Sequence, residues 1–140
     1  FAIVIDAVDL LAYNKAYQLQ PNDFQVNNSL ALFYLDLYDK APEYSDYKKA
    51  LEHAKKAYEQ NKLVITKKNL ALAYYFNENY DQTISLLSSV DLANSPTYSY
   101  FLGLAYAQKD DSVNAKFYLN QAIAAGMDVP KQVTDYIKSH

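Results

Sequence analysis

The side chains best suited to proton transfer or to holding a transition metal in this 140-residue chain are two histidines, His53 and His140, and neither has a second ligand at metal-binding spacing. His53 lies beside Glu52 in a segment of mixed Lys and Glu, where a partly exposed helix histidine is expected. Its replacement by Ala should then cost no more than a surface substitution, within about 0.5 kcal/mol. Ser88 and Ser89 lack the flanking glycines of a nucleophile elbow. The chain contains no Cys, which excludes disulfides, thiolate catalysis and Cys-bound zinc. Its two glycines, Gly103 and Gly126, are too few for a Gly-rich phosphate cradle. Asp36, Asp39, Glu43 and Asp46 gather carboxylates in one short stretch, but without EF-hand spacing or its turn glycine, so a solvated loop is expected rather than a calcium site. The chemistry-bearing residues therefore predict no enzyme, no metal and no cofactor.

Charge narrows the partner class. Thirteen Lys, no Arg and sixteen acids give a net charge of -3. Seven of the lysines fall between Lys48 and Lys68, a clustering that could suit nucleic acid or an anionic surface. Glu52 and Glu59 share that segment, and no Arg is present to fork onto phosphates or base edges, so ordinary helix solvation accounts for the cluster and no nucleic-acid partner is expected. No apolar run reaches the roughly 18 residues of a membrane span, so no membrane insertion is expected either. At 51% apolar and 21% charged residues, the chain has the composition of a folded domain. The compartment is left open.

The elements that must position these residues are helical and repeated. Scarce glycine argues against an all-β fold, and Pro21, Pro42, Pro96 and Pro130 sit at the edges of periodic segments, where helices begin or end. The pattern Leu, small, Leu, any, Tyr occurs three times: Leu30-Ala31-Leu32-Phe33-Tyr34, Leu70-Ala71-Leu72-Ala73-Tyr74 and Leu102-Gly103-Leu104-Ala105-Tyr106. Each copy is followed by a segment whose small or apolar residues recur at steps of three and four. These are Ala50, Ala54 and Ala57; Thr83, Leu87 and Val90; Ala115, Leu119 and Ala122. Ala57, Val90 and Ala122 are separated by 33 and 32 residues, the period of a repeated helical hairpin. From Tyr34 to Ala50 is sixteen residues where the later copies have nine, so the first turn is enlarged over 36–46.

At these residues the chain resembles the tetratricopeptide repeat family, which has about 34 residues per helix-turn-helix and a W-x2-L-G-x2-Y pattern, then A-x3-F, then P. The Leu-small-x2-Tyr element is present three times. The later small residue is Ala50 and Ala115 but becomes Thr83 in the middle copy, and the leading Trp is replaced by Asn27, Lys67 and Ser99. The resemblance implies an all-α, right-handed αα superhelix of three helix pairs within one domain: repeats over 23–62, 63–95 and 96–129, with helices expected at 28–36, 46–60, 64–77, 80–91, 96–109 and 112–125. Residues 1–22 fit the second helix of an incomplete repeat, and 130–140 a capping helix in which Val133, Tyr136 and Ile137 cover the last repeat. With Phe1 rather than Met at the start and an apolar stretch from Phe1 to Ile5, the chain reads as a piece of a longer protein or a processed form.

In that family the first helix of each pair lines a concave groove, so the resemblance implies that ligand contacts fall on its outward face. Carried over by spacing, the contacts are Asn28, Leu32 and Leu35; Lys68, Asn69, Leu72, Tyr75 and Phe76; and Tyr100, Phe101, Leu104 and Gln108, with Tyr34, Tyr74, Tyr106, Tyr47 and Tyr80 as core. The carboxylate clamp of chaperone-binding members is not reproduced, since Lys68, Asn28 and Asn69 are its only echoes. The expected function is a non-enzymatic protein-interaction scaffold that holds an apolar or aromatic peptide segment or partner helix. The alternatives are an architectural domain, one that self-associates through its truncated N-terminal edge, or an accessory domain of an enzyme.

Overall fold

A computed structural model describes residues 7–140, and side chains from Asp9 onward; the apolar stretch Phe1 to Ile5 lies outside the described residues. The described residues form eight α-helices and no strand, as the apolar periodicity requires. Their contacts divide the chain into two compact units, residues 1–77 and 78–140.

The first unit holds α1 (Ala7–Leu19), α2 (Phe24–Leu35), a 3-10 turn (Pro42–Tyr44), α3 (Tyr47–Gln60) and α4 (Val64–Phe76). Asp23 starts α2 four residues before the expected position, because its carboxylate accepts from the backbone N–H of Gln25 (2.8 Å) and Val26 (3.1 Å). Asp46 caps α3 in the same way through Lys49 N–H at 3.0 Å. Thr66 Oγ1 accepts from Leu63 N–H (3.1 Å), which satisfies an orphan donor at the start of α4. The core is built from Leu30, Ala31, Phe33, Tyr34 and Leu35 of α2, Ala50, Ala54 and Ala57 of α3, and Leu70 to Ala73 of α4.

The enlarged turn is pinned rather than loose. Asp36 takes a left-handed φ of 47° at the end of α2, and its carboxylate accepts from Lys40 N–H (2.9 Å) and Ala41 N–H (3.2 Å). Tyr34 C=O accepts from Asp46 N–H (3.0 Å) and Ser45 Oγ (3.2 Å). Ala41 is buried, and the Tyr44 ring stacks on Phe33. Two of the four carboxylates considered for calcium, Asp36 and Asp46, are thus committed to backbone amides.

The second unit holds α5 (Tyr80–Leu87), α6 (Pro96–Gln108), α7 (Ser112–Ala124) and α8 (Lys131–Ser139). Pro96 opens α6 and Asp111 caps α7 through Asn114 N–H at 3.1 Å. Hydrogen bonds from the Asn114 side chain and backbone hold the Asp111 carboxyl below its ordinary range. Gly103 marks the closest approach of α6 and α7: a Cβ there would lie 2.8 Å from Leu119 Cγ and 3.0 Å from the Leu119 backbone nitrogen. α7 ends at a Schellman turn, with Gly126 at φ +95° and the Met127 N–H bonded to Ala122 C=O at 3.1 Å. α6 ends with the same turn, Asp111 N–H reaching Tyr106 C=O at 2.9 Å, but Asp110 rather than glycine takes the left-handed position at φ 60°. Val133 of α8 is buried, while Tyr136 and Ile137 are half-buried. α5 stops at Leu87, short of the expected 91.

The repeat shows in the interior of each unit. Counting back from Ala57 and Ala122, His53 and Tyr118 hold the same position. His53 stacks on Tyr34 at 5.9 Å, and Tyr118 on Tyr106 at 5.7 Å. In the first and third pattern copies the closing Tyr therefore lies flat against a ring from the following helix; after Tyr74 the matching position is Leu86, which has no ring.

Candidate functional site

In the first unit, α2 and α4 lie side by side, and Asn69 Nδ2 donates to Asn28 Oδ1 at 2.9 Å. These two expected groove residues are brought together, but to bind each other: Asn69 is fully buried and Asn28 half-buried. Leu35 and Leu72 are also buried, so with Asn69 they belong to the core and not to a surface that a partner can touch. The spacing argument fails for them because exposure at one pattern position depends on the neighbouring helices. The second Leu of the pattern is 37% exposed at Leu32, half-buried at Leu104 and buried at Leu72.

What stays accessible on this side is Leu32, with half-buried Lys68, Tyr75 and Phe76. The Tyr75 ring meets Phe76 edge-on at 5.4 Å, and Tyr47 packs on Phe76 at 5.0 Å. Tyr47 was expected in the core and is instead 42% exposed, because it is the first residue of α3 and covers Phe76 rather than the space between helices. Its carbonyl accepts from Asn77 Nδ2 at 2.8 Å, which fixes the end of α4 against the start of α3. The Asp46 cap was the available signal that Tyr47 begins a helix.

The second unit carries its own aromatic face on α6. Tyr100, Phe101 and Leu104 are half-buried and Gln108 is exposed. The Tyr100 and Phe101 rings meet edge-on at 5.2 Å. Burial pushes the Tyr100 phenol up from its ordinary range, so it remains a neutral hydrogen-bonding group at neutral pH. An open cavity of about 430 Å³ elsewhere in this unit is lined by Ala93, Pro96, Ala124 and Gln121, whose side-chain oxygen already accepts from Ser99 Oγ at 3.0 Å.

His53 is the partly exposed helix residue the sequence suggests, but its ring is tied to a buried partner on α2. It is half-buried, and its Nδ1 lies 2.9 Å from Asn27 Oδ1. Asn27 is fully buried, and its Nδ2 donates to Pro21 C=O (3.0 Å), Asp23 C=O (3.0 Å) and, more weakly, Gln60 Oε1 (3.3 Å). With the amide hydrogens so committed, Asn27 Oδ1 is the acceptor and His53 Nδ1–H the donor. Burial and the neighbouring Lys56 and Lys49 ammoniums lower the His53 pKa, against a smaller opposing pull from Glu52. The imidazole is therefore neutral at pH 7. Asn27 and Ser99 each stand three residues before the first Leu of a pattern copy, and both are fully buried polar groups that bond to the following helix.

Among the described residues no group of three His, Cys, Asp or Glu is placed to hold a metal ion, and no helix is long and apolar enough to cross a membrane. Three of the four α3 lysines lean on rings: Lys56 lies 5.0 Å from the Tyr17 ring centre, Lys49 5.5 Å from Tyr34 and Lys55 5.6 Å from Tyr74. No family model matches the chain, and no curated protein does.

Proposed function

We propose that the protein is a non-enzymatic interaction module of the tetratricopeptide type, a right-handed superhelix whose first helices present aromatic side chains to an apolar or aromatic segment of a protein partner. The observation that carries this reading is the set of half-exposed rings on those helices. Tyr75 and Phe76 extend through Tyr47 in the first unit, and Tyr100 and Phe101 sit beside Leu104 in the second. Rings with one face packed and one face open supply binding area at small entropic cost, which is why such residues dominate hot spots. Selection from a random peptide library, repeated with the Tyr75→Ala, Tyr100→Ala double variant, tests it. Selected peptides should be rich in aromatic and aliphatic residues, and the variant should lose more than about 1 kcal/mol of binding. Its melting temperature should hardly change. An unfolded double variant, or one that binds like the parent, overturns the assignment.

Self-association at the N-terminal edge is the second reading. It is favoured by Leu11 and Leu19 of α1, which are 68% and 73% exposed. A solution mass that rises with concentration in the parent but not in Leu11→Lys, Leu19→Lys would replace the first reading with this one.

A further inference from the structure

α1 is the most lightly held helix of the first unit: none of its residues from Asp9 to Leu19 is buried. Its aromatic anchors are Tyr13, whose ring lies 5.6 Å from Phe33 of α2, and Tyr17, whose ring meets His53 of α3 edge-on at 5.0 Å. Lys56 of α3 reaches the same phenol, with its ammonium 5.0 Å from the Tyr17 ring centre and hydrogen-bonded to the Tyr17 hydroxyl. One phenol thus receives an ammonium and an imidazole together, and the Lys56 charge disfavours a charge on the imidazole beside it.

We propose that His53 is a proton-operated latch for α1: the neutral ring holds the helix on the α2–α3 hairpin, and protonation releases it while the hairpin stays folded. Protonation places a second cation against the ring that already carries Lys56, with Lys49 one turn away on the other side of His53. The groups facing His53 do not compensate. From α1 it meets the Tyr17 phenol, from α2 the Tyr34 phenol and the Asn27 amide, and on α3 Lys56, Lys49 and Glu52, of which Glu52 is the only charge that favours the cation, against two ammoniums and the cost of burial. Nδ1–H goes on donating to Asn27 Oδ1 in both protonation states, so the buried Asn27 contacts and the hairpin they tie together survive. The element that yields is α1, none of whose residues from Asp9 to Leu19 is buried.

Amide hydrogen exchange of the full chain between pH 7.5 and pH 5, corrected for intrinsic rates, reads the latch directly. The α1 amides should lose protection on acidification while those of α3 hold. In His53→Asn, which keeps a donor where Nδ1 stood and cannot titrate, α1 protection should be independent of pH. Unchanged α1 protection in the parent overturns the proposal, as does an equal loss in parent and variant, or a loss shared by α3. Should His53→Asn not fold, the ring resonances of the parent decide: His53 must titrate below 6.5, its ordinary value, and in step with α1 opening. Titration at or above that value overturns the latch.

Discussion

Replacing His53 by Ala removes the donor to Asn27 Oδ1 and leaves a fully buried carbonyl oxygen without its partner. The expected cost is about 1–3 kcal/mol, the penalty for stranding a buried acceptor, and well above that of a surface change. Denaturant melts of parent and variant at pH 7.5 measure it. The pH dependence has a definite sign. The folded-state pKa of His53 is lowered, so the unfolded chain binds more protons and stability rises with pH through this range. The stabilisation is complete above 6.5, the unfolded value, and is lost as pH falls below it toward the folded value. His53→Ala should flatten that part of the stability profile. None of this was legible in the residues beside it, Glu52 and Ala54, or in Lys49, Lys55 and Lys56. The partner that its Nδ1 meets, Asn27, lies 26 positions away, three residues before the first Leu of the first pattern copy.

At the scale of elements, the Leu-small-Leu-x-Tyr copies locate α2, α4 and α6, and the small residues at steps of three and four locate α3, α5 and α7. The ends were less legible, since they depend on single caps: Asp23 lengthens α2 backwards to Phe24, and α5 closes at Leu87. Gly103 is the position where hairpin geometry is most exacting. Gly103→Leu drives a side chain into Leu119, including its backbone nitrogen, so α6 and α7 must separate, at a cost of about 1–3 kcal/mol or more. A variant that melts like the parent would show that the two helices are not in this register. The opposite change is expected at Asp110, which holds a left-handed backbone at φ 60° where the equivalent turn after α7 uses Gly126. Asp110→Gly relieves that conformation and should stabilise the protein by about 1 kcal/mol, read as a raised melting temperature. The 36–46 insertion has no counterpart in the pattern, and its order comes from local bonds of Asp36 and the Tyr34 carbonyl that no repeat arithmetic contains.

At the scale of the whole molecule, the distribution of charge bears on what an aromatic surface can bind. Residues 1–77 carry nine Lys and nine acids, while residues 78–140 carry four Lys and seven acids, so the net charge of -3 belongs to the second unit. An acidic segment approaching Tyr100, Phe101 and Leu104 meets a field of its own sign, and one approaching Tyr75 and Phe76 gains nothing from net charge. Binding that rests on ring and aliphatic contacts should therefore survive screening. For a peptide selected on the parent, raising salt from about 0.05 M to about 0.5 M, which shrinks the screening length severalfold, should change affinity little. Adding two Asp to that peptide should weaken it, and adding two Lys should not. Tyr75→Ala and Tyr100→Ala, made singly, then assign the loss to one unit or to both. Steep salt dependence, with the Asp-bearing peptide preferred, would mean that the Lys-bearing α3 and not the aromatic faces receives the partner.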